Sequence, residues 1–182
     1  MAIRGKYGAR DRGRPAVSLE EPMTATPLDL VTGADLRRAM GCWATGIAVI
    51  TTSDGGTLAG LVSNSFTSIS LDPPLVSWAV DKKSSSFATW LNTDNYAVHI
   101  LSESRQDLVQ RFAAKGTDKF AGLAWEPGVL GSPIVARDVP RVECRLWQRV
   151  DAGDHVILIG EVASISDQDD FRPLTNHAYW AK

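Results

Sequence analysis

The sequence predicts a mainly β domain, in which an antiparallel sheet closes as a barrel and two or three helices pack outside it. Two observations carry this prediction. Extended, β-branched segments outnumber helical ones, and most of them are joined by turns rather than by crossover helices. A doubly wound α/β sheet is less favoured, because the regular βαβ alternation of that fold class is missing.

The first elements are a helix followed by a hairpin. The spacing of apolar residues predicts a helix over 33–44, which begins after Thr32 as N-cap and turns these residues towards a core: Leu36, Ala39, Met40 and Trp43. Strands over 47–52 and 57–66 then flank Asp54-Gly55-Gly56, a pair of glycines typical of a tight hairpin turn.

The remaining elements alternate strands with two further helices. After Pro73-Pro74 we expect a strand over 75–80, a helix over 84–92 with Phe87, Trp90 and Leu91 inward, and a strand over 96–101. A helix over 104–114 follows, capped by Ser102, with Leu108, Val109 and Phe112 inward. Two long strands over 141–150 and 155–166 complete the sheet.

Composition limits the class of protein. The chain has 182 residues, 44% of them hydrophobic, and 19 Lys and Arg stand against 21 Asp and Glu. No apolar run approaches the ~20 residues of a membrane span, and the balanced charge argues against electrostatic binding of nucleic acid. Cys42 and Cys144 lie far apart and form no CxxC pair, so a reduced, cytoplasmic setting is expected.

The amino-terminal segment differs from the rest. Residues 1–14 carry five basic side chains and one acidic side chain, with few large apolar groups. We expect a disordered basic extension over 1–30 and a single domain over 31–182.

Several familiar catalytic motifs are absent from the sequence. There is no GxGxxG after a strand, no GxxxxGK[ST], no HExxH and no GxSxG. His99, His155 and His177 have no partner at the spacing of a metal site, so no metal is expected.

Three segments carry candidate chemistry. Residues 63–70 read Ser-Asn-Ser-Phe-Thr-Ser-Ile-Ser and are polar on both faces of a predicted strand, which indicates either an exposed edge strand with Ser/Thr pairs or a polar ligand. Residues 82–86 read Lys-Lys-Ser-Ser-Ser at a predicted helix start, typical of either a phosphate site or a capped helix with solvated lysines. His155 begins an apolar strand after Gly153-Asp154, and either orients a substrate ring or is structural.

The ordered series of motifs resembles the flavin reductase-like family. It consists of TGIAVITT (45–52), SNSFTSISLDPPLVSW (63–78), DKKSSS (81–86), DKFAG (118–122), GSPI (131–134) and GDHVILIGEV (153–162). Members of the family are small NAD(P)H:flavin oxidoreductases that serve two-component flavin monooxygenases. The resemblance covers residues 33–176.

The resemblance implies a fold, an activity and a site. The fold is the FMN-binding split barrel, a six-stranded antiparallel Greek-key barrel, usually in a homodimer. NADH or NADPH would reduce FMN or FAD, and the reduced flavin would pass to a partner monooxygenase. Flavin would contact the following residues: Ser63, Asn64, Ser65, Phe66, Thr67, Ser68, Lys83, Ser84, Ser85 and Ser86. His155 would lie near the nicotinamide as the catalytic residue.

The carboxyl-terminal end departs from the family pattern. Relatives commonly finish with a PLxYxxGxY-like segment, whereas this chain ends PLTNHAYWAK and lacks the glycine. Tyr179 is the candidate for the family's terminal aromatic residue in the site, and the choice between NADH and NADPH stays open. Two other functions also stay open: a flavin-binding or storage protein without turnover, and a flavin-dependent oxidase of the pyridoxamine phosphate oxidase type.

Overall fold

The computed structural model describes residues 31–180, and the chain divides into two units, Met1–Arg38 and Ala39–Lys182. The predicted extension over 1–30 therefore lies outside the described residues. Helix α1 (Gly33–Met40) begins with a capping box, because Thr32 Oγ1 accepts a hydrogen bond from the Asp35 backbone N–H at 3.2 Å and Asp35 Oδ2 accepts one from the Thr32 N–H at 3.1 Å. The Thr32 hydroxyl, which donates to the same carboxylate, lowers the pKa of Asp35. Thr32 is thus confirmed as the N-cap.

The prediction that the apolar side chains of this helix face a core is wrong. Leu36, Met40 and Trp43 are 57%, 53% and 66% exposed, and no residue of α1 is buried. The helix ends at Met40, four residues earlier than predicted, so Trp43 no longer shares its apolar face.

The described residues form one large antiparallel sheet and one small one. The strands are β1 (Ala48–Asp54), β2 (Thr57–Ser63), β3 (Thr67–Leu71), β4 (Pro74–Asp81), β5 (Asn95–Ile100), β6 (Glu126–Pro127), β7 (Pro133–Ile134), β8 (Arg141–Ala152) and β9 (His155–Ser166). The large sheet has seven strands in the order β2-β1-β5-β8-β9-β4-β3, and β6 pairs with β7. The mainly β, antiparallel prediction is confirmed. Gly55 and Gly56, both with positive φ (54° and 84°), make the predicted β1–β2 turn.

The large sheet is curved. Its two end strands, β2 and β3, follow each other in the chain, so a short connection must join the two ends of the sheet. Four residue steps from Ser63 to Thr67 connect the end of β2 to the start of β3 and span at most ~14 Å. A flat sheet would hold these end strands ~29 Å apart across six strand spacings. No backbone pairing joins β2 to β3 within residues 31–180, so the sheet is open in its hydrogen bonding and has seven strands rather than six.

Alternate residues at the start of β1 and just before it face two different cores. Ala48 and Ile50 belong to a cluster that contains Trp78, Trp90 and Tyr96, whereas Ile47 and Val49 belong to a second cluster. The second cluster includes Leu108, Val109 and Phe112 of α3 (Gln106–Ala113), as the helical spacing predicted. The sheet is therefore covered on both faces where β1 runs.

Helices α2 and α3 differ from prediction in detail. α2 (Phe87–Asn92) buries Trp90 fully, but Leu91 is 39% exposed rather than inward. Ser102 makes no capping hydrogen bond, because a 3₁₀ turn (Glu103–Arg105) precedes α3 and the Ser102 hydroxyl instead pairs with Ser104 Oγ at 2.9 Å. A last helix, α4 (Asn176–Trp180), follows the sheet. In residues 31–180, no helix combines the length and apolarity that crossing a bilayer requires.

Candidate functional site

The three sequence segments with candidate chemistry meet at one cavity of about 280 Å³, which we name the serine–histidine cavity. Its wall takes residues from the end of β2 and the segment after it, from the end of β4, from the turn before α2 and from the start of β9: Leu61, Val62, Ser63, Asn64, Ser65, Ala79, Val80, Asp81, Ser84 and His155. The sheet thus brings together Ser63, Ser84 and His155, which lie about 20 and 70 residues apart along the chain.

Strand pairing explains this convergence. Asp81 at the end of β4 is opposite His155 at the start of β9, so the histidine lies beside the turn that carries Ser84. On the other edge of β4, the Ala79 backbone N–H donates a hydrogen bond to Ser65 Oγ at 3.0 Å. This bond holds the segment between β2 and β3 against β4.

The hydroxyl-rich segment is not the continuous strand that the sequence predicts. β2 ends at Ser63, residues 64–66 lie outside any strand, and β3 starts at Thr67. Ser63 is buried and its Oγ accepts a hydrogen bond from the Ser65 N–H at 3.2 Å, while the two hydroxyl oxygens are 3.0 Å apart. These two hydroxyls are satisfied within the protein, and exposed Asn64 is the polar side chain of this turn that makes no hydrogen bond within residues 31–180.

A second cavity of about 640 Å³, the Trp43 cavity, shares Asn64 and Ser65 with the first. Its wall combines aromatic, aliphatic and polar residues: Met40, Trp43, Ala44, Thr45, Gly46, Asn64, Ser65, Phe66, Thr67 and Asn176. Thr45 Oγ1 is buried and has no hydrogen-bond partner in the described part of the chain. An unsatisfied buried hydroxyl at a cavity wall indicates a place for a polar ligand atom or a water.

The lysine–serine turn is built differently from its prediction. The helix begins at Phe87 rather than near Ser84, has six residues, and shows no side-chain cap at Ser86. Lys82 pairs with Asp151 at 2.7 Å, whereas exposed Lys83 makes no ion pair with any residue of 31–180. The turn therefore offers an anion polar side chains rather than the dipole of a long helix, and the phosphate site stays a prediction.

The two remaining serines of this turn line a third cavity of about 160 Å³, the Lys119 cavity. Its wall consists of Leu58, Ala59, Gly60, Ser85, Ser86, Thr117, Asp118, Lys119 and Phe120. Ser86 Oγ accepts a hydrogen bond from Trp90 Nε1 at 3.0 Å, which anchors the turn to the core.

His155 has a hydrogen-bond partner at only one of its two ring nitrogens within residues 31–180. Its side chain is 39% exposed, and Nδ1 lies 2.7 Å from Asp154 Oδ1. This hydrogen bond lowers the pKa of the Asp154 carboxyl. Nε2 makes no hydrogen bond within residues 31–180, so it is the ring nitrogen that remains for a ligand.

Three predicted site residues are not brought into these cavities. Ser68 is exposed on β3, Lys83 is exposed in the turn, and Tyr179 packs against the second core and against the Trp180 ring, 4.9 Å between centroids. Tyr179 lies on α4, whose first residue, Asn176, reaches the Trp43 cavity instead.

Sequence reasoning missed several wall residues. Asn176 is placed by its backbone N–H, which donates to the Thr45 carbonyl at 2.8 Å, and by the bridge between Gly46 and Thr175. Thr45 and Lys119 both lie in motifs that carry the family resemblance, and this was the available signal for them. Nothing in the local sequence marks Met40, Trp43 or Asn176.

Comparisons with known proteins agree with the resemblance. Residues 40–180 match the family model described as flavin reductase like domain. The reductase subunit HsaB of a flavin-dependent monooxygenase from Rhodococcus jostii is 38% identical over 138 residues, 76% of this chain and 71% of that protein. The FMN reductase (NADH) SmoA from Agrobacterium fabrum is 38% identical over 133 residues, 73% of this chain and 76% of that protein.

A solved structure gives the same result. The NADH:FAD oxidoreductase SgcE6 of Streptomyces globisporus, in complex with NAD and FAD fragments, is 30% identical, with a TM-score of 0.73 over 81% of this chain and 92% of that one. The family model covers more than half of the chain. This chain therefore belongs to the flavin reductase like domain family.

Proposed function

We propose that this chain is an NAD(P)H-dependent flavin reductase that supplies reduced flavin to a partner monooxygenase, with its site in the serine–histidine and Trp43 cavities. The observation that carries the proposal is the meeting of Ser63–Ser65, Ser84 and His155 at one cavity. FMN and FAD are the flavins, and NADH or NADPH is the electron donor. The relatives named above include an FMN reductase that uses NADH and an NADH:FAD oxidoreductase.

The residues present fit a flavin and a nicotinamide. The two cavities measure about 280 and 640 Å³ and share Asn64 and Ser65, so groups bound in either cavity would contact this pair of residues. The free amide of Asn64 and the unsatisfied Thr45 Oγ1 suit the polar edge of a ring system rich in nitrogen and oxygen. When bound, flavin supplies the ring that accepts a hydride from the nicotinamide.

The protein binds and orients the two rings. Asn64 offers a donor and an acceptor at the turn between β2 and β3, and Thr45, which lines the same cavity, carries a buried hydroxyl without a partner in residues 31–180. Phe66 and Trp43 provide flat apolar surfaces that exclude water from ring faces. Holding two reactants at close range and in the right orientation lowers the barrier of such a reaction.

His155 positions the nicotinamide. Asp154 holds Nδ1, so Nε2 is presented to the ligand as a single hydrogen-bonding atom. No proton transfer by a side chain is required for hydride transfer, so His155 improves the reaction without being indispensable. Ser84, Ser85 and Ser86 serve the phosphate side, with exposed Lys83 beside them in the same turn. Ser68 is exposed on β3 and Tyr179 packs against the second core, so neither is assigned a flavin contact.

Closure of the sheet and assembly are further parts of the proposal. The curl of the sheet, whose first and last strands are linked by residues 64–66, supports a split-barrel arrangement. Ile69, Leu71 and Ile165 on β3 and β9 are 48%, 89% and 70% exposed, and such exposed apolar groups support a homodimer. A cytoplasmic location stays a prediction.

One experiment tests the activity directly. Anaerobic oxidation of NADH and of NADPH is followed with riboflavin, FMN and FAD, and bleaching of the flavin reports its reduction. We expect one nicotinamide to reduce FMN or FAD catalytically. Flavin binding without bleaching would instead indicate a storage protein, and oxygen uptake with pyridoxamine phosphate would indicate an oxidase; either outcome overturns the proposal.

A further inference from the structure

A further cavity, of about 270 Å³, shares no wall residue with the three cavities described above, and we name it the Trp125 cavity. It is smaller than the ~300–1,000 Å³ typical of sites for drug-sized ligands, so it has room for one ring with a short substituent. The short strands β6 and β7 and the residues beside them form its wall: Trp125, Glu126, Ile134, Val135, Ala136 and Arg137.

The floor of this cavity is apolar and is anchored to the large sheet. Thr51 Oγ1 donates a hydrogen bond to the Pro133 carbonyl at 2.6 Å, and the backbone N–H of Val135 donates to His99 Nε2 at 3.2 Å. These bonds hold β7 and the residue after it in place without a ligand. Three residues of the floor are only 5%, 6% and 5% exposed: Ile134, Val135 and Ala136.

Trp125 gives the cavity an aromatic wall. The residue is 42% exposed, and its indole N–H makes no hydrogen bond within residues 31–180. Aromatic rings pack favourably on one another in offset-stacked or edge-to-face arrangements. A planar aromatic ligand therefore suits this wall, and the indole N–H remains as a donor for an acceptor atom.

Two guanidinium groups lie near the one carboxylate of the wall. Arg137 forms an ion pair with Glu126, and Arg141 Nη1 donates to the carbonyl oxygens of Ala136 at 3.4 Å and Arg137 at 3.3 Å. Arg141 Nε is buried and has no hydrogen-bond partner in the described part of the chain. The hydrogen bond from Arg137, and then the charges of Arg137 and Arg141, lower the pKa of Glu126 against the opposing effect of desolvation.

Positive charge is thus in excess beside the cavity. The next acidic residue along the chain, Asp138, is already paired with Arg105. The ion pair of the wall is open to solvent, since the Arg137 and Glu126 side chains are 73% and 42% exposed. Exposed ion pairs contribute little to stability, so a ligand carboxylate can replace the Glu126 carboxylate on Arg137.

We infer that the Trp125 cavity binds a small aromatic carboxylate. The ring lies between Trp125 and the apolar floor, and the carboxylate accepts hydrogen bonds from the Arg137 guanidinium, which matches a carboxylate with two parallel donors. The inference adds a second ligand site to the chain and does not depend on the proposed flavin reductase activity.

The test is a titration of the ¹⁵N-labelled full chain with benzoate at pH 7, followed by NMR. The readout is the indole N–H signal of Trp125, which is assigned by its absence from the Trp125→Phe variant. We expect this signal to shift and to saturate with benzoate. Benzamide, which has the ring without the charge, and cyclohexanecarboxylate, which has the charge without the aromatic ring, should each bind at least about fivefold more weakly.

Two variants of the ion pair should change the benzoate affinity in opposite directions. Arg137→Gln removes the partner of the ligand and should weaken binding about tenfold, whereas Glu126→Gln removes the competing carboxylate and should strengthen binding about threefold. Arg145→Gln, which removes an exposed arginine from β8, is the control and should leave the affinity unchanged. The remaining amide signals report whether each variant is folded.

Several outcomes would overturn the inference. An indole signal that does not move with benzoate means that the cavity takes no such ligand, and equal affinity for benzamide means that Arg137 does not contact it. Weaker binding in both Arg137→Gln and Glu126→Gln would assign the ion pair a structural role alone. A shift of the same signal by FMN would make the cavity part of the flavin site, whereas a chain that oxidises no NAD(P)H refutes the proposed function and leaves this titration decisive.

Discussion

Two histidines of this chain occupy opposite kinds of environment. His99 on β5 is fully buried; its Nε2 accepts a hydrogen bond from the Val135 backbone N–H and its Nδ1 donates to the Val49 carbonyl, each at 3.2 Å. His155 at the start of β9 is partly exposed and uses only Nδ1, towards Asp154. Both lie in strands, and the sequence singled out only His155, which follows Gly153-Asp154.

The difference teaches how to separate a structural histidine from one available to a ligand. Every polar atom of the His99 ring is satisfied by backbone, so the ring fixes the β1–β5 region to the segment after β7 and has no capacity left. His155 faces a cavity with an unused nitrogen. The number of ring nitrogens left without a hydrogen bond distinguishes the two, and it agrees with the motif that singled out His155.

The largest effect is expected on removing the buried ring. His99→Ala leaves a cavity and strips the Val135 N–H and the Val49 carbonyl of their partner, so we expect a loss of about 3–4 kcal/mol in the free energy of unfolding. Urea denaturation with an unchanged slope measures it. His155→Ala is the matched control and should cost less than about 0.5 kcal/mol. Equal losses in the two variants would abolish the distinction.

The second effect is a dependence of stability on pH. Burial lowers the pKa of His99 from 6.5 to about 4, and the charges of Arg141 and Arg105 act in the same direction, while the Val49 carbonyl opposes them. Between these two values the unfolded chain binds a proton that the folded chain does not, so stability falls as pH falls through this window. The expected loss between pH 7 and pH 5 is about 2 kcal/mol.

Denaturation midpoints across this range measure the slope, and His99→Gln serves as comparison because its amide does not titrate. The slope attributable to His99 should disappear in that variant. The Asp35 and Asp154 carboxyls, whose pKa values are lowered in the folded chain, affect stability only below this pH window. The stability they contribute is lost only as they become protonated. An unchanged slope in His99→Gln would show that other groups cause it.

The comparison also shows what the sequence could predict about the fold. The long strands β8 and β9 and helix α3 were predictable, because β-branched runs and helical spacing of Leu108, Val109 and Phe112 agree with their surroundings. The strand break at residues 64–66 was not, since it depends on Ser65 accepting a hydrogen bond from β4, 14 residues away. Local pattern contains no information about that partner.

In the site, too, some features were predictable from local sequence and others depend on tertiary contacts. Ser63–Ser65, Ser84 and His155 were predicted to act together, and strand register brings them to one cavity. Tyr179 was placed by the family's terminal pattern, yet α4 turns it towards the second core and brings Asn176 to the Trp43 cavity. Which face of a five-residue helix meets a cavity is decided by tertiary bonds such as Asn176 to Thr45, and no spacing rule predicts it.

The smallest effect is expected on removing His155, the histidine with a free ring nitrogen. His155→Ala removes one hydrogen bond from Nε2 to the nicotinamide, so we expect kcat/KM for NAD(P)H to fall about fivefold while the flavin affinity and the free energy of unfolding stay unchanged. Steady-state kinetics with varied nicotinamide measures this. Asp154→Asn keeps an oxygen for Nδ1 and removes the charge, so its effect should be about twofold, since the exposed carboxylate is screened by solvent.

His177→Ala, which removes an exposed histidine on α4, is the control and should change neither constant. An unchanged KM and turnover in His155→Ala would mean that the free nitrogen contacts no substrate, and the contrast with His99 would then be one of burial alone. Complete loss of turnover would also contradict the proposal, because hydride transfer between two bound rings needs no proton from this side chain. A graded loss, larger for His155→Ala than for Asp154→Asn, is the result that assigns the positioning of the nicotinamide to the ring and its alignment to the neighbouring carboxylate.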